Sequence, residues 1–182
     1  MSDPHDLQAP ADWVVRWAPL VRAGGEVLDV ACGGGRHARH FAGLGCRVVA
    51  VDRDAAALGG LAGVPGVQAV VADLEGAPWP FPAGRFDAVI VVNYLHRPLF
   101  DALIDGLAPG GVLVYETFMS GNERYGRPSN PQFLLRPYEL ADRLRGRLEL
   151  VAFEQGQVAR PRPAMVQRAC AVRPPTESVT IG

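Results

Sequence analysis

Residues 26–54 read EVLDVACGGGRHARHFAGLGCRVVAVDRD, and this stretch decides the fold. Val27-Leu28-Asp29-Val30 is an apolar run too short for a helix and flanked by glycines, the pattern of a buried strand. The cluster Gly33-Gly34-Gly35 follows. An Arg/His/Ala/Phe/Leu segment then suits a helix of about two turns. A second apolar run, Arg47 to Val51, ends in Asp52. Strand, glycine turn, helix, strand and terminal acid form one βαβ unit, whose ligand site lies at the carboxyl ends of the strands. Glycines suit such a turn because it is tight and its backbone must approach a ligand without an intervening Cβ.

Two patterns fit these residues. Gly33-x-Gly35-x-x-Ala38 matches the dinucleotide fingerprint, with Asp52 near the distance expected of an acid on the ribose hydroxyls. Asp29, Ala31, Gly33 and Gly35 also fall in register with D-x-G-x-G-x-G, and LDVACGGG resembles the first motif of the class I S-adenosylmethionine-dependent methyltransferases. The sequence departs from that motif at Ala31, where the first glycine is usual.

The stretches downstream favour the second pattern. Val67 to Ala72 reads as a third strand ending in Asp73-Leu74-Glu75. RFDAVIVVN (85–93) resembles the family's fourth motif, and LAPGGVLV (107–114) its fifth. The resemblance, in family order over roughly residues 24–118, implies S-adenosylmethionine as cofactor and S-adenosylhomocysteine as product. It further implies that Asp29, Ala31, Gly33 and Gly35 cradle the amino-acid end. Asp52 would take the ribose diol, Asp73 the adenine amino group with Leu74 beside it, and Asn93 would sit near the methionine moiety. The single-domain plan is similar to small bacterial methyltransferases of the tellurite-resistance type. The fold it implies is an α/β, Rossmann-like doubly wound sheet of seven strands, order 3-2-1-4-5-7-6, the last antiparallel, with helices on both faces.

Composition removes rival chemistries. The 182 residues, 48% hydrophobic and 20% charged, describe an ordinary globular domain with room for a full core. All 18 basic residues are arginine, so neither a P-loop nor Schiff-base catalysis can be built. No serine lies in G-x-S-x-G. Cys32, Cys46 and Cys170 lack the spacing of a disulfide framework or zinc site. The start, MSDPHD, is acidic and polar, unlike a signal peptide, and no run approaches the ~20 apolar residues of a membrane span. A cytoplasmic location is expected.

Along the chain, residues 1–10 read as a flexible tail. Residues 11–22 form a helix, with Trp13, Trp17 and Leu20/Val21 on one face and an irregular last turn at Pro19; it either covers the cofactor or packs on the sheet. Asp54 is the expected N-cap of a short helix. Pro78, Pro80 and Pro82 exclude a helix between the third and fourth strands. The last two strands are expected at Arg147–Phe153 and Ala164–Val172. One domain therefore spans 1–173, with a disordered tail over 174–182.

Residues 1–119 carry eight arginines against thirteen acids, and residues 120–173 ten against five. Solvated surface is the plain explanation; an anionic ligand or nucleic-acid face is the other. A net charge of −1 and a pI near 6.4 argue against an autonomous nucleic-acid binder and leave a small-molecule acceptor as the expected partner. Monomer and homodimer stay open. The segment Thr117–Arg136 is longer than ordinary connections, and such loops are usually functional or disordered. Glu116, Arg124, Tyr125, Arg127 and Arg136 are its candidate contacts to a polar or anionic acceptor. Tyr94 and His96, leaving the fourth strand, are the candidates for proton handling. His37 and His40, three apart, suit a metal less well than the polar surface of a helix. The N-P-P-Y motif of amide and base N-methyltransferases is absent, since Asn93 is followed by Tyr-Leu-His. A nicotinamide-dependent oxidoreductase and a non-catalytic S-adenosylmethionine-binding regulator are the alternative readings.

Overall fold

The computed structural model describes residues 9–175. Most of the expected tails, residues 1–8 and 176–182, lies outside the described residues. Seven strands form one sheet: β1 (Glu26–Val30), β2 (Arg47–Asp52), β3 (Val67–Val71), β4 (Phe86–Val92), β5 (Leu107–Phe118), β6 (Glu149–Val158) and β7 (Ala164–Val172). Their order is β3-β2-β1-β4-β5-β7-β6. The pairs among β1 to β5 are parallel, and β7 runs antiparallel to both β5 and β6.

Among the described residues, five α-helices accompany the sheet: α1 (Asp12–Trp17), α2 (Arg36–Gly43), α3 (Ala55–Leu58), α4 (Phe100–Gly106) and α5 (Glu139–Leu144). The centre of the sheet is buried on both faces, so β1, β2 and β4 read as apolar runs without alternation. One core joins Leu28, Val89, Phe100, Leu103, Tyr115, Leu135 and Leu140. The other, across the sheet, joins Val27, Phe41, Ile90 and Val114 with Trp13 and Trp17. The tryptophans of α1 therefore pack on the sheet, and Trp13 Nε1 donates to the Ala169 carbonyl at 3.2 Å. Pro19 lies in a 3-10 turn, Ala18–Leu20, that ends this segment.

Asp54 caps α3, its carboxylate accepting from the amides of Ala56 and Ala57. The proline-rich segment 72–85 holds no helix. Two boundaries differ from expectation. β6 is Glu149–Val158, because an irregularity between Leu150 and Ala152 resets its register and lets it pair as far as Val158↔Ala164. Arg147 lies before the strand and bridges Asp101 and Asp105 at 3.0 and 2.7 Å. Arg173 is tied in as well, exchanging backbone hydrogen bonds with Gly110 and Gly111.

Since β7 is antiparallel, the β6–β7 turn returns to the carboxyl edge of the parallel strands. There it meets the ends of β4 and β5 and the segment Ala9–Asp12.

Candidate active site

The glycine loop between β1 and α2 lies beside a cleft of about 890 Å³ lined by Pro10, Asp29, Ala31, Gly33, Gly34, Arg36, His37 and Asn93, among others. Ala31, Gly33 and Gly35 all have positive φ, at 50°, 53° and 74°. Ala31 thus occupies a left-handed conformation that costs a residue with a Cβ roughly 1–2 kcal/mol. The glycines serve different ends. A methyl group at Gly33 or Gly34 would meet no heavy atom within 4 Å, whereas one at Gly35 would lie 2.5 Å from Leu61 Cδ2. Gly33 and Gly34 leave the cleft open, and Gly35 admits Leu61.

Asp52 ends β2 beside this loop. One carboxylate oxygen accepts from the Gly33 amide at 2.8 Å and the other from the Asp54 amide at 2.9 Å. A carboxylate has about four acceptor positions, so each oxygen keeps capacity for a ribose hydroxyl. Asp29 is buried and accepts from the Ala38 amide at 2.9 Å, which fixes the first turn of α2. Burial pushes its carboxyl up to about 7.

Asp73 follows β3, exposed, with Oδ1 accepting from the Glu75 amide at 3.0 Å. Hydrogen bonds from the Glu75 and Gly76 amides hold its pKa below the ordinary value. Leu74 beside it is buried. His96 Nδ1 lies 3.9 Å from Glu75 Oε2, and burial together with Glu75 raises the Tyr94 phenol. Tyr94 and His96 are thereby grouped with Glu75, at the β3 end of the site.

His37 lies differently from the polar-surface expectation. It is buried, and its Nε2 accepts from the Ala11 amide at 3.2 Å. That requires the neutral ring with the proton on Nδ1, which lies 3.9 Å from Asp29 Oδ1. Burial lowers its pKa to about 3. Arg36 Nη1 donates to the Ala9 carbonyl at 3.1 Å. Two side chains of α2 thus hold the segment Ala9–Ala11 over the cleft. Among the described residues, no group of three His, Cys, Asp or Glu gathers to hold a metal ion.

A second cavity, about 200 Å³, adjoins the cleft. Asn93, Glu116 and Phe118 line it from β4 and β5, Asp12 and Arg36 from the N-terminal side, and Val158, Arg160, Arg162, Ala164, Val166 and Arg168 from the β6–β7 hairpin. Of the residues expected to meet the acceptor, Glu116 is here, raised by burial and paired with Arg168 at 3.2 Å. Arg124, Tyr125, Arg127 and Arg136 stand outside the lining, as do Tyr94 and His96. The segment 120–136 is pinned elsewhere. Asn122 is buried between the Pro128 carbonyl and the Met165 amide. Leu134 and Leu135 are buried, and Arg97 donates to the carbonyls of Gln132 and Leu134. Sequence reasoning did not single out Arg160 or Arg162, and it weighed His37 only as a metal ligand or as helix surface.

A methyltransferase-domain family matches residues 27–111, which span the glycine loop, Asp52, Asp73 and Asn93. Residues 27–111 thus match a methyltransferase domain, and the fold around them is that of the class I S-adenosylmethionine-dependent methyltransferases. The open glycine loop and the acceptor positions left on Asp52 fit S-adenosylmethionine, the cofactor of that fold family. The chain is 30% identical over 175 residues to a tRNA U34 carboxymethyltransferase of Methylococcus capsulatus, covering 76% of this chain and 51% of the relative. It therefore spans about half the length of that curated protein. By fold it is similar to TehB from Haemophilus influenzae, with TM-score 0.74, 16% identity, and coverage of 90% of this chain and 62% of that one. It is also similar to a methyltransferase from Methanosarcina mazei, with TM-score 0.70, 15% identity, and coverage of 91% and 98%. Among the described residues no helix is long and apolar enough to cross a membrane.

Proposed function

We propose that this protein transfers the methyl group of S-adenosylmethionine to a small polar or anionic acceptor seated in the 200 Å³ cavity. The observation that carries the reading is the junction of the two spaces: Pro10, Arg36 and Asn93 line both the cofactor cleft and the cavity. When bound, the cofactor supplies an electrophilic methyl on a sulfonium. Placing an acceptor in line with it is then the main demand, and orientation alone supplies roughly 7–11 kcal/mol of such a barrier.

Asp52 and Asp73 hold the nucleoside in this reading, and Asn93 stands where cofactor and acceptor meet. The segment Ala9–Ala11, held by Arg36 and His37, covers the junction and excludes water. Tyr94 and His96 shape the adenine end with Glu75. The cavity is smaller than the ~300–1,000 Å³ of sites for drug-sized ligands, which supports a compact acceptor. The Methylococcus relative is named for tRNA, so tRNA belongs in the acceptor screen.

The test is calorimetry with S-adenosylhomocysteine and NAD, then a methyl-acceptor screen of small carboxylates, phosphates and tRNA. Micromolar S-adenosylhomocysteine binding that weakens in Asp73→Ala, with turnover of a small acceptor, is expected. NAD binding insensitive to position 73 would hand the case to the oxidoreductase. Cofactor binding with no acceptor turned over would favour the regulator, and turnover of tRNA alone would remove the small-acceptor reading.

A further inference from the structure

Resting on that reading, we infer that Arg160 and Arg162 form the clamp for the acceptor's anionic group. The acceptor class is then a compact apolar body bearing a carboxylate or a phosphate.

The charges around the cavity are unequally committed. Arg168 is bound between Glu116 and Glu154, at 3.2 and 3.1 Å, and its guanidinium lies over Trp13 at 5.1 Å. This pairing neutralises Glu116 as well. Arg36 is engaged with the Ala9 carbonyl. Arg160 and Arg162 are both exposed and form no ion pair with any described residue. Arg162 donates to the Arg127 carbonyl at 3.4 Å and lies over Phe118 at 5.9 Å, which leaves most of its five donors unused. Asp12, on the N-terminal wall, forms no ion pair with a described residue either, so the uncommitted charge is negative on that wall and positive at the hairpin end of the cavity.

The local sequence presents these two side chains with little freedom. They belong to Ala159-Arg160-Pro161-Arg162-Pro163, the connection between β6 and β7. Each proline fixes its own φ and carries no N–H, so guanidinium groups supply most of the donors this turn can offer. A turn stiffened in this way loses less entropy when it orders around a ligand. Guanidinium forks match carboxylate and phosphate oxygens in pairs.

The adjoining wall is apolar. Phe118, Ala164 and Val166, with Leu134 and the partly buried Val158, form a small cluster separate from the two main cores. Phe118, Val158, Ala164 and Val166 line the cavity. Cationic donors at one side and a small hydrocarbon surface at the other define a compact amphiphilic anion.

The experiment titrates the S-adenosylhomocysteine-loaded protein with benzoate, phenyl phosphate and neutral benzamide, by ligand-observed NMR. Wild type should bind one of the two anions saturably and benzamide at least tenfold more weakly; which anion binds separates carboxylate from phosphate. Arg160→Gln/Arg162→Gln should weaken the anion at least tenfold and leave S-adenosylhomocysteine affinity unchanged. Arg124→Gln/Arg127→Gln should change neither. Equal anion binding in the Arg160/Arg162 variant, or equal binding of benzamide, overturns the clamp. So does binding of tRNA but of neither anion. Failure to bind S-adenosylhomocysteine would instead strike the methyltransferase reading itself.

Discussion

The carboxylate of Asp52 accepts the Gly33 amide at 2.8 Å, so the acid that ends β2 also holds the glycine loop in place. Its other oxygen accepts the Asp54 amide. Asp52→Ala therefore removes a ribose acceptor and two backbone anchors together. Charge-assisted bonds of this kind are worth about 1.5–3 kcal/mol. S-adenosylhomocysteine affinity should fall roughly 10–100-fold, and Tm should fall too. Asp52→Asn, which keeps one oxygen, should recover part of both. Unchanged affinity in a folded Asp52→Ala protein would sink the ribose assignment.

Neighbouring glycines should respond in opposite ways. Gly34→Ala places a methyl in open space, so Tm should hold while cofactor affinity drops. Gly35→Ala drives a methyl into Leu61 at a position with φ +74°. Overpacking and left-handed strain should together cost about 2–5 kcal/mol. Chemical denaturation of both variants checks the contrast, and equal stabilities would refute it.

Ala31 offers the converse change. With φ at 50° it holds strain that glycine would not, so Ala31→Gly should stabilise by about 1 kcal/mol and raise Tm by roughly 2–4 °C. A lower Tm would mean that the methyl group packs better than the backbone suffers.

Glu139 should contribute to stability in acid. It is buried, bonded to Arg97 through both oxygens at 2.7 and 2.9 Å and to the Arg136 amide at 2.9 Å. Although burial alone would raise its carboxyl, the Arg97 and Arg136 contacts win and bring it down to about 2 from an ordinary 4.5. The folded value lies below the unfolded one, so the stabilisation is complete above pH 4.5 and is lost as pH falls toward 2. It amounts to on the order of 3 kcal/mol. Glu139→Gln should be less stable at pH 7 and should show a flatter loss of stability between pH 4.5 and 2. An acid slope matching the wild type would show that other carboxylates set it.

The part of the fold that is written in contiguous residues was legible. β1, β2 and β4 are buried on both faces, so they stand out as apolar runs, and the acids Asp52 and Asp73 mark the carboxyl ends of β2 and β3. β6 was harder. It is an edge strand alternating Phe153 with Glu154 and Gln155, and its register irregularity leaves no trace in composition. The length of 117–136 drew attention to Arg124 and Arg127. A single buried amide at Asn122 and the reach of Arg97 decide where that segment packs, and neither is visible in a pattern. His37 looked like surface polarity because its partner, the Ala11 amide, lies 26 positions away. The R-P-R-P run between the last two strands was the available signal for the cavity's second wall.

The turn closing β6 and β7 also bears on how this protein can diversify. Apart from Pro10, the lining of the cleft beside the glycine loop comes from residues 29–93, while Arg160 and Arg162 lie far downstream on a connection that carries no part of that loop. Under the clamp proposal, exchanging that five-residue connection would redirect the choice of acceptor and leave the cleft beside the glycine loop as it is. Directed evolution toward a new acceptor would therefore start with a library over residues 159–163.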